Sequence, residues 1–383
     1  MTFTKIDVAP LGTTQDWAAL RHAHLGDAPA IQKIYHEIYQ GTYTYQEYTD
    51  VAYLEKDMTG GHSGWYVVED TAHGREIAGC VSATIDAIHE RAYSRGMMLR
   101  PAWQGHGGAS RLFGEAFQDF LKCHEGKVRL VWAETRSTSI KPQSVCETIG
   151  LQPLGILPNK DVFFNLRETP VLMAVYSSSA WATRDCRVRI VPELVPLYEQ
   201  IRSMFRFMRK DDLQVTEPAI PSKSRCRIFV DIEPYTKKYG YTTLVFTCEK
   251  TGEAITIDVN HQCMNAEKME IHCTKPATAQ ALLSFALGYL QSKGVQYVEG
   301  HCPAMKPMLQ DAFITAGMQP RAYLPGWEKD ARTGLHVDHV VFAWSKQSID
   351  LAKTCFTPKS GALARVLGIL PSSVPCETNA PRS

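Results

Sequence analysis

The segment from Gln104 to Ser110 combines three glycines in four positions with the start of a helical apolar pattern. A glycine-rich turn that opens a helix leaves several backbone N–H groups without partners, and these donors point outward. Together with the positive end of the helix dipole, they form an anion site. The spacing therefore predicts that this turn binds a phosphate or pyrophosphate group.

Two common phosphate loops are excluded by the residues around this turn. No Gly-Lys-Ser or Gly-Lys-Thr follows, and the G-x-G-x-x-G spacing of a dinucleotide site is missing. The turn resembles instead the signature Q/R-x-x-G-x-G/A of the acetyltransferase (GNAT) family, with Gln104, Gly107 and Ala109 at the signature positions. The resemblance implies that the turn binds the pyrophosphate of acetyl-CoA as co-substrate, without a metal.

Two side chains downstream fall on family positions that move protons. The strand L-V-W-A-E-T-R places Glu134 on the family's glutamate, which in some members is the general base that deprotonates the amine. Twelve residues later the family usually has a tyrosine that protonates the departing CoA thiolate, and this chain has Cys146 there. The thiol of Cys146 could donate the same proton. Ser139 stands where the family commonly has an asparagine.

The strand before the turn completes the predicted site. The developing oxyanion needs a donor, and the resemblance assigns this role to the backbone N–H of Met98 or Leu99. Backbone groups of Met98 to Arg100 are expected to hold the pantetheine arm. Further candidates for proton transfer are His89, Glu90 and His106. The predicted catalytic residues are Glu134 and Cys146, and the predicted cofactor-binding residues are Met98, Leu99, Arg100, Gln104, Gly105, His106, Gly107, Gly108, Ala109, Ser110 and Ser139.

The elements that must position these residues alternate between strand and helix patterns. Such an order predicts a mixed α/β layer with helices on the faces of a sheet, and it matches the GNAT family over residues 18–177. Four tyrosines, at 39, 43, 45 and 48, are open to two interpretations, ordinary packing or a wall of the acceptor pocket. The predicted elements are a strand at 20–23, a helix after Asp27, a hairpin of 64–69 and 76–84, a strand at 97–99, a helix from Ser110, a strand at 128–133, a helix at 142–150 and a strand at 171–176.

Composition limits the class of protein. A chain of 383 residues is long enough for two domains. A net charge of +1 without a basic stripe argues against a nucleic-acid partner, and no apolar run approaches the roughly 18 residues of a membrane span. The N-terminus has no signal-peptide core, and 11 cysteines without a C-x-x-C pair predict reduced thiols. We therefore expect a cytoplasmic location.

The second half of the chain repeats the first. Residues 148–159 (T-I-G-L-Q-P-L-G-I-L-P-N) and 315–326 (T-A-G-M-Q-P-R-A-Y-L-P-G) are identical at six of twelve positions. The second copy has T-K-P-A-T-A-Q at 274–280 in place of the glycine turn, and His301 and Phe313 replace Glu134 and Cys146. We predict that this copy does not bind CoA in the family's way. It would complete the acceptor pocket, bind a regulator or stabilise the first domain.

These observations predict an α/β fold (an α+β mixed sheet) made of two tandem acetyltransferase-like domains. The expected function is acyl-CoA-dependent transfer, most simply of acetyl, to a primary amine of a small molecule or peptide within a ternary complex. A non-catalytic CoA-binding or regulatory module is the alternative, an O-acyltransferase or one acting on a carrier-protein arm is a third, and a homodimer is left open. The predicted divisions are an irregular lead-in at 1–17, the acetyl-CoA-binding domain at 18–177, a linker at 178–187, the degenerate domain at 188–348 and a mobile tail at 349–383.

Overall fold

The computed structural model describes residues 17–72, 74–105, 107–218, 227–232 and 239–371. They divide into two compact units. The predicted lead-in therefore lies outside the described residues except for Trp17. The N-terminal unit holds the described residues up to Pro153 with Val162–Arg167 and Val171–Ala182, and the C-terminal unit holds Leu154–Asp161, Glu168–Pro170 and the described residues from Thr183 onward.

This division agrees with the predicted one at the main boundary and differs from it earlier in the chain. The chain passes from one unit to the other between Ala182 and Thr183, inside the predicted linker. Two short segments of the predicted first domain, Leu154–Asp161 and Glu168–Pro170, group instead with the C-terminal unit. The boundary is therefore crossed more than once, which a search for a single linker does not detect.

The N-terminal half of the chain builds a mixed sheet in the order β1-β2-β3-β4-β5-β9, in which only β4 and β5 are parallel neighbours. The mixed α/β prediction is confirmed. The strands are β1 (Ala18–His22), β2 (Ser63–Asp70), β3 (Ile77–Asp86), β4 (Arg91–Leu99), β5 (Leu130–Thr135), β6 (Gln152–Ile156), β7 (Asp161–Phe163), β8 (Leu166–Glu168) and β9 (Val171–Tyr176), and the helices are α1 (Ala28–Tyr39), α2 (Val51–Thr59), α3 (Ala109–Cys123) and α4 (Lys141–Thr148).

Helices α1 and α3 form where apolar residues recur at helical spacing. Ile31, Ile34 and Tyr35 of α1 are fully buried. The carboxylate of Asp27, just before α1, accepts hydrogen bonds from Arg21 at 2.7 and 2.9 Å. Helix α3 packs against the sheet through a continuous apolar stripe. The buried side chains of this stripe are Leu112, Phe113, Ala116, Phe117, Phe120 and Leu121.

Strand β4 is longer than its apolar pattern predicted. The sequence predicted only Met97–Leu99, and the strand runs from Arg91 to Leu99. Gly96 has a φ of +64° and interrupts the regular register with β3. Before this kink, buried Ala92 and Ser94 alternate with larger, partly exposed residues, so no apolar run marks the first part of the strand.

The C-terminal half of the chain builds a second mixed sheet in the order β12-β13-β14-β15-β16-β18-β17. Only β15 and β16 are parallel neighbours. A separate two-stranded pair, β10 and β11, is parallel. The strands are β10 (Arg187–Ile190), β11 (Asp212–Val215), β12 (Ile228–Ile232), β13 (Tyr241–Cys248), β14 (Ala254–Asn260), β15 (Asn265–His272), β16 (Tyr297–Pro303), β17 (Gln319–Lys329) and β18 (His336–Ser345), and the helices are α5 (Val195–Met204), α6 (Pro276–Ser292), α7 (Pro307–Thr315) and α8 (Pro358–Val366).

Six strands of this second sheet, in the order β12-β13-β14-β15-β16-β18, match the order of the six strands of the first. Helices α6 and α7 occur between the same successive strands as α3 and α4 do. The segment that repeats in letters has the same local structure in both halves. Gly150 and Gly317 have φ angles of +98° and +97° after α4 and α7. These correspondences support the prediction of an internal repeat.

Part of the predicted mobile tail is structured. Helix α8 buries Leu363 and Ala364 completely, so the prediction of a mobile segment from residue 349 is wrong for these residues. Residues 372–383 lie outside the described part.

Among the described residues, no helix has the length and apolar character needed to cross a membrane. Cys248 is disulfide-bonded, so the prediction of reduced thiols fails at that residue.

Candidate active site

The glycine turn between β4 and α3 is built on left-handed backbone. Gly105, Gly107 and Gly108 have φ angles of +87°, +79° and +81°, which residues with a Cβ rarely adopt. A Cβ on Gly105 or Gly108 would meet no atom within 4 Å, so conformation rather than crowding requires glycine there. The side-chain amide of Gln104 donates from Nε2 to the carbonyl of Leu99 at 2.8 Å. This bond ties the turn back to β4.

The first turn of α3 presents backbone donors at its N-terminus. Gly108 precedes the helix and supplies no side-chain cap. The N–H groups of Ala109, Ser110 and Arg111 therefore have no acceptor within the helix. Helix α3, described in full, has no acidic residue in this turn. These donors fit a pyrophosphate group. His106, predicted to take part, lies outside the described residues.

Strands β4 and β5 separate after a short paired stretch. Their parallel pairing joins Arg91–Tyr93 to Leu130–Trp132. Beyond these residues, the described remainders of β4 and β5 are not paired with each other, although β4 continues to Leu99 and β5 to Thr135. The opening lies on the side of β4 that runs toward the glycine turn. An extended chain can bind between two such strands by backbone hydrogen bonds.

The three residues expected to hold the pantetheine arm differ in what they can offer. Met98 and Leu99 are buried and pair with Cys80 and Gly79 of β3. The N–H of Arg100 donates to the carbonyl of residue 78 at 2.8 Å, and the Arg100 carbonyl accepts from the N–H of residue 103 at 2.9 Å. We therefore do not retain Arg100 as a backbone ligand of the cofactor.

The guanidinium of Arg100 is equally engaged. It donates to both carboxylate oxygens of Glu37, at 2.7 and 2.8 Å, and to Glu76. These ion pairs hold the pKa of Glu37 below its ordinary value and that of Arg100 above its own. The side chain therefore fixes α1 against the end of β4 and is not available to a phosphate.

Glu134 lies on the sheet face that carries α1 and the tyrosines. Its neighbour two residues earlier, Trp132, stacks on Tyr93 with ring centroids 4.1 Å apart. Because side chains alternate along a strand, Glu134 shares the face of Trp132. The residue is half-buried and lies on the part of β5 beyond its pairing with β4. This position is compatible with a base that meets an amine at the opening between the strands.

Cys146 lies on α4, and its side chain is buried in the interior. It is 2 % exposed, and burial raises the pKa of its thiol to about 12. A thiol with so high a pKa is a weaker proton donor than an ordinary cysteine. The structure therefore gives no support to Cys146 as the acid. The hydroxyl of Ser139 accepts a hydrogen bond from the N–H of Lys141 at 3.2 Å, so it serves the start of α4.

Two further candidates for proton transfer lie at the end of β4 that is opposite to the glycine turn. His89 and Glu90 form the turn between β3 and β4, and Glu90 has a φ of +55°. The glycine turn follows the other end of β4, which is nine residues long. At about 3.3 Å per residue, this separation is roughly 25–30 Å. The structure does not bring these residues to the site.

An aromatic cluster surrounds Arg95 on the same face as Glu134. Of the four tyrosines predicted either to pack or to line a pocket, 39, 43 and 48 are buried in one cluster, with Tyr35 and Phe163. The guanidinium carbon of Arg95 lies 4.2 Å from the ring centroid of Tyr48, 4.6 Å from that of Tyr45 and 4.9 Å from that of Tyr93. We call Arg95 with these three rings the arginine cage.

Sequence reasoning missed the arginine cage. Tyr93 and Arg95 precede the strand that was predicted, which began at Met97. Their period-two spacing with Arg91 was the available signal, because it places all three on one face of a strand that starts at residue 91.

In the second half of the chain, α6 corresponds to α3, and a carboxylate of the chain itself lies at the start of this helix. An Oε atom of Glu253 accepts from the N–H and the hydroxyl of Thr274, both at 2.7 Å, and from the N–H of Lys275 at 3.1 Å. Partial burial alone would raise the pKa of Glu253, but these hydrogen bonds lower it to about 2. A bound carboxylate occupies the place of an anion at the start of α6.

A cavity of about 770 Å³ lies within the C-terminal unit. Arg321 lines it, and desolvation lowers the pKa of this side chain. Its guanidinium donates to the carbonyl of Leu367 at 3.4 Å and to Gln319. The cavity is a place where the second half could bind a ligand.

Comparison with known proteins identifies one family. Residues 28–147 match the model of the acetyltransferase (GNAT) family. This segment runs from α1 through the glycine turn to the end of α4. No curated protein matches the chain.

Solved structures of low similarity include several acetyltransferases. Spermidine N-acetyltransferase from Vibrio cholerae in complex with CoA and spermine is 20% identical, with a TM-score of 0.36, over 42% of this chain and 96% of that one. Ribosomal-protein-S5-alanine acetyltransferase from Vibrio fischeri is 15% identical, with a TM-score of 0.36, over 43% and 94%.

Proposed function

Because residues 28–147 match the model of the acetyltransferase (GNAT) family, we propose that the protein is an acyl-CoA-dependent N-acyltransferase with its active site in the N-terminal unit. The co-substrate is acetyl-CoA, and the acceptor is a primary amine of a small molecule or peptide. The observation that carries the proposal is the N-terminus of α3. Its uncapped amides follow three left-handed glycines, directly beside the opening between β4 and β5.

Different residues of the site would bind different parts of the cofactor. Amides from Gly107 to Ser110 would hold the pyrophosphate, and Gln104 fixes the turn through Leu99. The free side of β4 at Met98 and Leu99 would hold the pantetheine arm and supply a donor for the carbonyl oxygen.

Acyl transfer in this site needs one base and tolerates the lack of an acid. An amine is mostly protonated near neutral pH, so Glu134 would accept its proton, directly or through water. The amine nitrogen then forms a bond to the acyl carbon as the carbon–sulfur bond breaks. A thiolate leaves readily without protonation, so the buried Cys146 is not required.

Thermal unfolding with acetyl-CoA tests cofactor binding. A ligand at about 100 times its dissociation constant should stabilise the native state by roughly 2.7 kcal/mol. Gly108→Asp should abolish the shift because the new carboxylate repels the pyrophosphate. Gly126→Asp is the matched control, since Gly126 has a φ of +80° against +81° for Gly108 and a Cβ there also meets no atom within 4 Å. Equal shifts in both variants would refute the assignment of the turn.

A non-catalytic CoA-binding module is the second candidate. It is favoured by the burial of Cys146, which leaves the position of the usual acid without a usable donor. Release of CoA thiol in the presence of amines separates the two. An enzyme releases thiol in proportion to the acceptor, whereas a sensor binds acetyl-CoA and leaves it intact.

A further inference from the structure

Arg95 is enclosed by aromatic rings on several sides. The guanidinium carbon lies 4.2–4.9 Å from the ring centroids of Tyr45, Tyr48 and Tyr93. These contacts stabilise a cation through the ring faces, but they supply no hydrogen-bond acceptor to its N–H groups.

The hydrogen-bonding capacity of Arg95 is not used within the described residues. Its Nε and Nη1 atoms are shielded from solvent and have no hydrogen-bond partner there. Arginine cannot lose its charge under ordinary conditions, and a shielded, unpaired cation is costly. The residue as a whole is partly exposed.

A second unused donor lies beside the arginine. The hydroxyl of Tyr35 is buried without a partner among the described residues. It borders the next residue of β4, because a Cβ on Gly96 would lie 2.5 Å from this oxygen. The face therefore offers N–H groups on two guanidinium nitrogens and a phenolic hydroxyl, a set that matches the oxygens of a carboxylate.

The position of Arg95 relates this binding group to the proposed chemistry. Tyr93 pairs with Trp132 at the last residue of the β4–β5 ladder. Arg95 and Glu134 each lie two residues further along their strands, on the same face and on opposite sides of the opening. An acceptor held by Arg95 through one end would therefore present its other end near Glu134.

We propose that Arg95 binds the carboxylate of the acceptor, so that the substrate is an amino acid or a related small aminocarboxylate. This inference rests on the proposed N-acyltransferase function. A polyamine would place further cations against the guanidinium of Arg95, so polyamines should be poor acceptors.

Matched pairs of amines test the proposal. L-lysine and cadaverine, L-ornithine and putrescine, and L-phenylalanine and phenethylamine differ only in the carboxylate, and spermidine serves as the polyamine. CoA thiol release should favour at least one amino acid over its decarboxylated partner by about 10- to 100-fold in kcat/KM. Arg95→Gln should raise KM for that amino acid and remove the preference. Equal or better use of the amines or of spermidine would overturn the proposal.

Two controls keep the result interpretable. Arg91→Gln removes a cation from the same strand that already pairs with Asp86 at 2.9 Å, and it should retain the preference. Stabilisation by acetyl-CoA establishes that Arg95→Gln is folded, because the glycine turn is a separate site.

A binding assay separates failure of this inference from failure of the proposed function. If no acceptor releases thiol, thermal shifts with the same amine pairs are compared between the native protein and Arg95→Gln. A shift with an amino acid that is absent with its amine partner, and lost in the variant, supports the carboxylate site in a protein without turnover. No shift with any aminocarboxylate refutes it, whether or not acetyl-CoA binds.

Discussion

Glu134 and Cys146, the two side chains expected to transfer protons, occupy different environments. Glu134 is half-buried on the face that carries the arginine cage, at the opening between β4 and β5. Cys146 is 2 % exposed, and burial raises its pKa to about 12. Proton transfer requires contact with the reacting group. At the residue scale, the proposed chemistry therefore depends on Glu134 alone.

Replacement of Glu134 by glutamine should reduce kcat/KM by about 10²- to 10⁴-fold near neutral pH, because general-base catalysis contributes in this range. The loss should shrink as the pH rises toward the pKa of the amine, since a neutral amine needs no base. The measurement is a pH profile of CoA release for both proteins. Glu90→Gln, at the far end of β4, is the control, and an unchanged profile in Glu134→Gln would exclude the base.

The N-termini of α3 and α6 differ in whether a carboxylate of the chain lies against their backbone donors. In α3 the approach is formed by glycines and the first turn contains no acidic side chain. In α6 the carboxylate of Glu253 is bonded to the N–H groups of Thr274 and Lys275. At the scale of elements, an internal carboxylate takes the role that a phosphate would have. This supports the prediction that the second copy does not bind CoA in the family's way.

Glu253→Gln should destabilise the protein at pH 6–7 by about 1–3 kcal/mol, since hydrogen bonds to a charged acceptor are lost. The pKa of Glu253 is about 2 in the folded protein, below its ordinary value of 4.5. Its contribution is therefore complete above about pH 4.5 and is lost as the pH falls toward 2. The difference in thermal midpoint between the native protein and the variant should narrow between pH 5 and pH 3.

The matched control for this prediction is Glu249→Gln. Glu249 lies 3.9 Å from Arg227, and both side chains are largely exposed. Such a surface pair contributes little, so this variant should show a small difference at every pH. A pH-independent difference for Glu253→Gln would contradict the role assigned to its carboxylate.

At the scale of the whole molecule, two halves of one chain share a strand order and the position of their helices. The parallel pair β4–β5 in the first half corresponds to β15–β16 in the second. Identical letters at 148–159 and 315–326 lie in the same turn and strand of each half. We continue to propose that the second half is a degenerate acetyltransferase-like domain. Its own core includes α8, which lies beyond the predicted end of that domain.

Leu363→Ala should destabilise the C-terminal unit by about 2–5 kcal/mol, because it opens a cavity at a fully buried position of α8. Leu351→Ala, at a leucine that is 42% exposed, is the matched control and should cost less than about 1 kcal/mol. Chemical denaturation of the two variants measures the difference. Similar small effects of both changes would restore the view that this segment is mobile.

Much of the fold follows from patterns that extend over a few residues. The apolar spacing of α1 and α3 and the hairpin of β2 and β3 predicted those elements within a few residues of their ends. Strand β17 shows a limit of such patterns, because prolines and a glycine interrupt its apolar run. Arg184 illustrates a different limit, since it bonds to Asp211 at 2.6 Å and to Asp338 from a distant part of the chain.

The glycine turn and the helix that follows it were evident in the amino-acid sequence, because backbone conformation and capping depend on adjacent residues. Three other properties emerged only in the folded chain: the enclosure of Arg95 by tyrosines, the burial of Cys146 and the binding of Glu253 to the start of α6. Each depends on which distant segments pack together. Burial and interaction partners set the pKa of a group and its availability to a ligand. A local sequence pattern specifies neither the burial of a side chain nor its partners.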